Sequence, residues 1–104
     1  MLVESGAAYC CITPEIARLL GYDLRRPVAR RSIASVQGVD VEVPSLRLQS
    51  LHVEGVITQA LEVLVITFSP WLRIDGVLGV NFIERFRSTF DFDTAMLILR
   101  ARSV

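Results

Sequence analysis

Short runs of β-forming residues, each stopped by glycine, proline or a polar pair, follow one another along almost the whole of this chain. Val39-Asp40-Val41-Glu42-Val43 alternates apolar and acidic residues, the period of a strand with one face buried. Ser35-Val36-Gln37-Gly38 separates it from Ile33, which predicts a hairpin with its glycine near the tip. Pro44 is expected to end or edge that strand. Leu46, Leu48, Leu51 and Val53 predict another, with a slip around Gln49-Ser50 that reads as a turn or a bulge. Residues 60–66 are more continuously apolar and predict a central strand. Residues 74–80 read as a buried strand closing on Gly79, and 89–92 and 96–99 as the last strands. Helix signals are few. Thr13-Pro14-Glu15 is a helix start, with Ile16, Leu19 and Leu20 as its apolar face and Gly21 as its stop. Asn81, with Glu84 three residues on, predicts a capped helix that buries Phe82, Ile83 and Phe86. About eight short strands and two short helices describe an all-β domain, a small barrel with a helix near its C-terminus.

At 104 residues and 52% hydrophobic, the chain suits one domain with a sizeable core. No run reaches the roughly 18 uncharged apolar residues of a membrane span, so no membrane partner is expected. The formal net charge is zero, which argues against nucleic acid as the main partner. The start, Met-Leu-Val-Glu, has no basic region of the kind that opens a signal peptide. That, with two free cysteines, favours the cytoplasm.

Cys10 and Cys11 are neighbours and point to opposite faces of an extended strand, so a disulfide between them would be strained. With His52 as the lone histidine and no second cysteine cluster, no metal site and no cofactor are expected. His52 lies in an alternating strand pattern and reads as a surface residue, and the cysteines read as small buried hydrophobes rather than nucleophiles. Arg25, Arg26, Arg30 and Arg31 flank Pro27 and read as a solvated loop. Trp71, beside Pro70, reads as a packing plug.

The chemically suggestive stretch is Leu2-Val3-Glu4-Ser5-Gly6-Ala7-Ala8. Two β-formers run into a carboxylate, then a small hydroxyl residue, then a glycine that lets the chain turn, then two alanines that leave space. This places an acid at the end of a short buried strand. No Lys or Arg neighbours it in sequence, so it is a candidate for acid–base work, although an acid before a Ser-Gly turn is also an ordinary turn.

The order of these parts resembles the retropepsin-like aspartic peptidases, closest to their bacterial and retrotransposon members. The resemblance runs from the Glu-Ser-Gly-Ala turn through "Leu-Leu-Gly", the glycine-tipped hairpin, "Asp-Gly-Val-Leu-Gly-Val-Asn-Phe-Ile" and "Phe-Asp-Phe" to the final apolar strand. It implies an acid-protease barrel with a flap hairpin, spanning residues 1–104 as one domain that lacks the family's first N-terminal strand. It implies a homodimer in which each chain supplies one acid, with an extended peptide or protein as substrate. Glu4 stands at the position of the family's catalytic Asp. Ser5 stands where a hydroxyl braces the two loops across the dimer, and Gly6 keeps the turn open. Ala7 and Ala8 border the cleft, and Ser35, Val36, Gln37 and Gly38 form the flap tip. Val77-Leu78-Gly79 matches the apolar-apolar-glycine motif beneath the active-site loop, which leaves Asp75 structural. Two functions follow: an aspartic-type endopeptidase, or, because Glu4 adds a methylene, a weak or inactive relative that serves as a dimerisation or peptide-binding module.

Overall fold

Cys10 and Cys11 face opposite sides of strand β2 (Cys10–Ile12), and each side builds its own apolar cluster. The computed structural model describes residues 1–34 and 38–102. The larger cluster packs Cys10, Leu46, Leu61, Val63 and Phe82. The smaller one packs Cys11, Val43, Leu64 and Val77, with Tyr9, Ile33 and Ile66 against it.

The strands are β1 (Leu2–Val3), β2, β3 (Ala29–Ala34), β4 (Asp40–Val53), β5 (Val56–Val65), β6 (Gly76–Leu78), β7 (Phe86–Asp91) and β8 (Met96–Ala101). Helix α1 (Pro14–Leu19) follows β2, and α2 (Val80–Ile83) follows β6. Six strands form one sheet in the order β1-β6-β2-β5-β4-β3, and β7 and β8 form a separate two-stranded ribbon. The all-β expectation is therefore met. Among the described residues no ladder joins β1 to β3, so these two are the sheet's edges. The predicted hairpin is present as antiparallel β3 and β4, paired from Ala29↔Ser45 to Ala34↔Asp40. Its tip residues Ser35, Val36 and Gln37 lie outside the described residues.

Helix α1 starts as its sequence predicts. Thr13 Oγ1 accepts the Ile16 amide at 3.3 Å, Pro14 occupies the first turn, and Gly21 follows the helix at φ +89°. The β4–β5 hairpin closes on Glu54-Gly55, both at positive φ, the backbone of a tight two-residue turn.

Several expectations are corrected. Pro44 does not end a strand: β4 runs through it. It pairs with Arg30 on the β3 side, and the ladder to β5 begins only at Ser45, so the missing N–H falls where β4 changes partners. Arg30 and Arg31 are strand residues of β3 rather than loop residues, because β4 offers them a pairing edge. Trp71 is 81% exposed and plugs nothing. Strand β1 is exposed at the sheet edge rather than buried. Helix α2 begins at Gly79, not at Asn81. A Cβ on Gly79 would collide with the Tyr9 carbonyl and sit 2.8 Å from the Ala7 oxygen, so the chain turns there and frees Asn81 for other work.

The slip at Gln49-Ser50 is a kink shared by both strands of the β4–β5 pair. Leu46 and Leu48 face the large cluster, but beyond the kink Leu51 and Val53 do. On β5 the same switch separates Val56 from Leu61 and Val63. Both strands change parity together, so the register is the same on either side of the kink, where Gln49 and Ala60 drop out of the ladder. Ala60 absorbs the turn at φ +53°. The groups displaced from the ladder find side-chain partners: Gln49 N–H donates to the Tyr22 hydroxyl at 3.2 Å, and the Arg85 guanidinium donates to the carbonyls of Gln59 (2.6 Å) and Ala60 (3.4 Å).

Candidate active site

Backbone hydrogen bonds hold the Glu4 loop from below. Parallel pairing of β1 with β6 sets Leu2 beside Val77 and Val3 beside Leu78. The Glu4 amide then donates to the Leu78 carbonyl at 3.0 Å, and the chain turns as the Ala7 amide donates back to the Glu4 carbonyl at 3.3 Å. Beyond the turn the Ala7 and Ala8 carbonyls accept the amides of Val80 (2.8 Å) and Asn81 (3.1 Å) at the start of α2. The loop is thus clamped between the end of β6 and the first turn of α2.

Asn81 completes the clamp. Its Oδ1 accepts the Cys10 amide at 2.7 Å, and its Nδ2 donates to the Glu62 carbonyl at 2.7 Å. One side chain ties α2 to the strand leaving the loop and to the central strand β5. The sequence offered no signal for this role, since Asn before an apolar run is equally a helix cap.

Glu4, Ser5, Gly6 and Ala8 are exposed, and Ala7 is half-buried. The Glu4 carboxylate makes no hydrogen bond among the described residues. It lines a groove of about 550 Å³ together with Ala7, Tyr9, Cys11, Arg31, Ile33 and Ile66. Gly38, at φ +78°, is the described part of the predicted flap tip. Gly6 is not at positive φ, and a Cβ there would meet only Glu4 Oε1, at 3.8 Å. The turn itself does not need a glycine, contrary to the sequence reading. Nothing else among the described residues crowds that position.

The cysteines are inert packing, as expected. Burial pushes the Cys11 thiol up to about 11, helped by Cys10 and by the charge of Glu4. Burial also raises Cys10, against hydrogen bonds from the Gly79 and Phe82 backbone. The Gly79 amide points at Cys10 Sγ from 3.2 Å. His52 is exposed on β4, and Asp75 uses its backbone carbonyl to accept the Thr13 amide. No cluster of three metal-binding side chains occurs among the described residues, and no helix there is long and apolar enough to cross a membrane.

The decisive finding is a family match: residues 1–85 fit the model of the "gag-polyprotein putative aspartyl protease" family. The chain belongs to the retropepsin-like aspartic protease family. Solved structures agree. A retropepsin-like aspartic protease from Rickettsia conorii superposes with a TM-score of 0.70 at 27% identity, over 95% of this chain and 70% of that one. The retroviral protease-like domain of Ddi1 from Leishmania major superposes at 0.61 and 18% identity, over 93% of this chain and 74% of that one, a likeness of fold. No curated protein matches the chain significantly. The family match stops just short of β7, so this retropepsin-like chain carries the β7–β8 ribbon beyond the matched span.

Proposed function

We propose that this chain is one half of an aspartic-type endopeptidase, completed by a second copy of itself about a two-fold axis. The observation that carries this reading is the Glu4 loop: an unpaired carboxylate, backbone-clamped, at the mouth of a largely apolar groove. One carboxylate cannot act as acid and base in the same step. Two Glu4 carboxyls brought within hydrogen-bonding distance cannot both ionise, so they share one proton. The ionised member takes a proton from water, which adds to the scissile carbonyl as the other member donates to the carbonyl oxygen. The tetrahedral carbon then collapses, and a proton passes to the leaving amine. Ser5 braces the paired loops, and Ala7 and Ala8 border the bound peptide.

The exposed apolar face around the loop is where the second copy docks. Val3 and Ser5 share a groove with Phe90, Phe92 and Met96 of the ribbon. Phe92 is 89% exposed, and its ring stacks on Phe90 with centroids 6.4 Å apart. An apolar surface of this kind, beside an acid that needs a twin, is what an isologous interface buries. Gly6, which nothing among the described residues requires, suits close approach by that second copy or by a peptide backbone.

Glu4 itself favours a second reading. Its extra methylene advances each carboxyl by about 1.5 Å, and misplacement of about 1 Å can cost on the order of 10²-fold in rate. The experiment is cleavage of a mixed peptide library from about pH 4 to 7 by the natural protein, Glu4→Asp and Glu4→Gln. Cleavage by the first two and none by Glu4→Gln is the expected result. Cleavage by Glu4→Asp alone makes the natural chain a peptide-binding module. Cleavage that survives in Glu4→Gln overturns the assignment of Glu4.

A further inference from the structure

Among the described residues, Arg31 is the one cation that lines the groove at Glu4. Its position is unusually constrained for a strand arginine. Nε donates to Glu62 Oε2 at 2.8 Å and Nη2 to Glu62 Oε1 at 2.9 Å, a two-point pairing that fixes the plane of the guanidinium. The Tyr9 ring lies below, 5.8 Å from Cζ, a second restraint on the same group. Glu62 is itself anchored, because Asn81 holds its carbonyl and the buried Ser45 hydroxyl faces its carboxylate without closing a good hydrogen bond.

This pairing uses one edge of the guanidinium and leaves Nη1 with no acceptor among the described residues. The side chain remains 43% exposed, against 20% for Glu62. Arg31 lines the groove and Glu62 does not, so the donors that this pairing leaves free are offered to the groove. The groove that Glu4 and Arg31 both line is otherwise largely apolar, with Ala7, Cys11, Ile33, Leu64 and Ile66 in its lining. A substrate side chain that reaches Arg31 through this groove must be apolar along its stem and end in an oxygen acceptor.

We propose that Arg31 is a specificity-determining residue, which makes this groove select a glutamate or glutamine side chain and reject lysine and arginine. The selected residue has two methylenes for the apolar lining and a terminal oxygen for Nη1. A substrate cation meets the guanidinium at close range and is repelled. An ionised Glu4 repels a carboxylate brought near it, so the acceptor is favoured beside Arg31. This inference rests on the peptide groove of the proposed function but does not require turnover.

The test uses a hexapeptide series in which one position at a time is Glu, Gln, Leu or Lys. It is read as kcat/KM on the natural protein and, independently, as peptide affinity by fluorescence anisotropy on Glu4→Gln. The expected result is one position at which Glu and Gln exceed Lys by about 10-fold or more, a discrimination that Arg31→Gln reduces to within about 2-fold. Glu62→Gln separates selection from mere support of β3, because it removes the two-point pairing but keeps the cation. It is expected to retain or sharpen the preference. If Arg31→Gln and Glu62→Gln weaken all peptides alike, or if the profile of Arg31→Gln is unchanged, the proposal is overturned. Selective binding without cleavage would leave Arg31's role standing while removing the endopeptidase reading.

Discussion

Two glycines near the candidate site are held to opposite standards. Gly79 has no room for a side chain, since a Cβ would strike the Tyr9 and Ala7 carbonyls, backbone that cannot step aside. Gly79→Ala is expected to destabilise the fold by about 2–3 kcal/mol, read as a lower urea midpoint with the slope unchanged. Gly6→Ala meets no such obstacle and should leave the stability of the single chain within about 0.5 kcal/mol. If Gly6 faces a second copy or a substrate, the same change lowers cleavage or dimer affinity, and a variant unchanged in both removes that assignment. The adjacent cysteines give a sharper check. With Cys11 pushed up to about 11, and Cys10 raised as well, both thiols stay protonated at neutral pH. Iodoacetamide at pH 7.5 should label neither in the folded protein and both in urea; rapid labelling of the folded chain contradicts the packing described. The burial of both cysteines was legible from their types, but the reason for each glycine was not. A spacing pattern marks a turn without showing what approaches it.

At the scale of elements, the β4–β5 pair carries the main surprise. Its side chains change faces halfway along both strands, and the change rests on Ala60 in a left-handed conformation. Such a conformation costs a residue with a Cβ roughly 1 kcal/mol that glycine does not incur. Ala60→Gly is therefore expected to be neutral to stabilising, by up to about 1 kcal/mol, the reverse of its usual effect within a strand. Arg85→Met removes the donors to Thr58, Gln59 and Ala60 and leaves carbonyls without partners. A loss of about 1–3 kcal/mol in thermal or urea unfolding is the expected result. The kink was half visible in the sequence: the shift from Leu48 to Leu51 marks it on β4. Its counterpart was hidden, because Ala60 sits in an otherwise ordinary apolar run and nothing in its type requires positive φ.

For the whole molecule, the consequence of the fold is an exposed apolar edge beside an acid. If β1 and the ribbon form the two-fold interface, Phe92→Glu should drive the protein to monomer in sedimentation and abolish cleavage together with it, while the chain stays folded. A monomer that cleaves as before contradicts the paired site. The Arg31–Glu62 pair makes a second prediction at this scale, since it joins β3 to β5 across the groove wall. Arg31 holds the Glu62 carboxyl below its ordinary value. A depressed acid contributes stability that is complete above the normal glutamate range and is lost as pH falls through the lowered value. Thermal unfolding followed across acidic pH should therefore show a steeper loss for the natural protein than for Glu62→Gln; coincident profiles would mean that the pair contributes nothing to folding.

What the sequence determined by itself is the local grammar: the period-two strands, the Thr13-Pro14 helix start and the acid-hydroxyl-glycine loop. These depend on residues a few positions apart, whose preferences operate before the chain has a shape. Only the tertiary structure decided which partner each long side chain takes. Asn81 reads locally as a helix cap, yet it serves Cys10, 71 residues away, because Gly79 is crowded into starting the helix early. Pro44 reads as a strand end, yet β4 continues, because the changeover from β3 to β5 falls where its missing N–H does least harm. Arg31 reads as loop charge, yet it stands in the groove, because pairing with β4 turns it toward Glu62 and Tyr9. Each of these outcomes is set by a contact distant in sequence, and such contacts are absent from any local pattern.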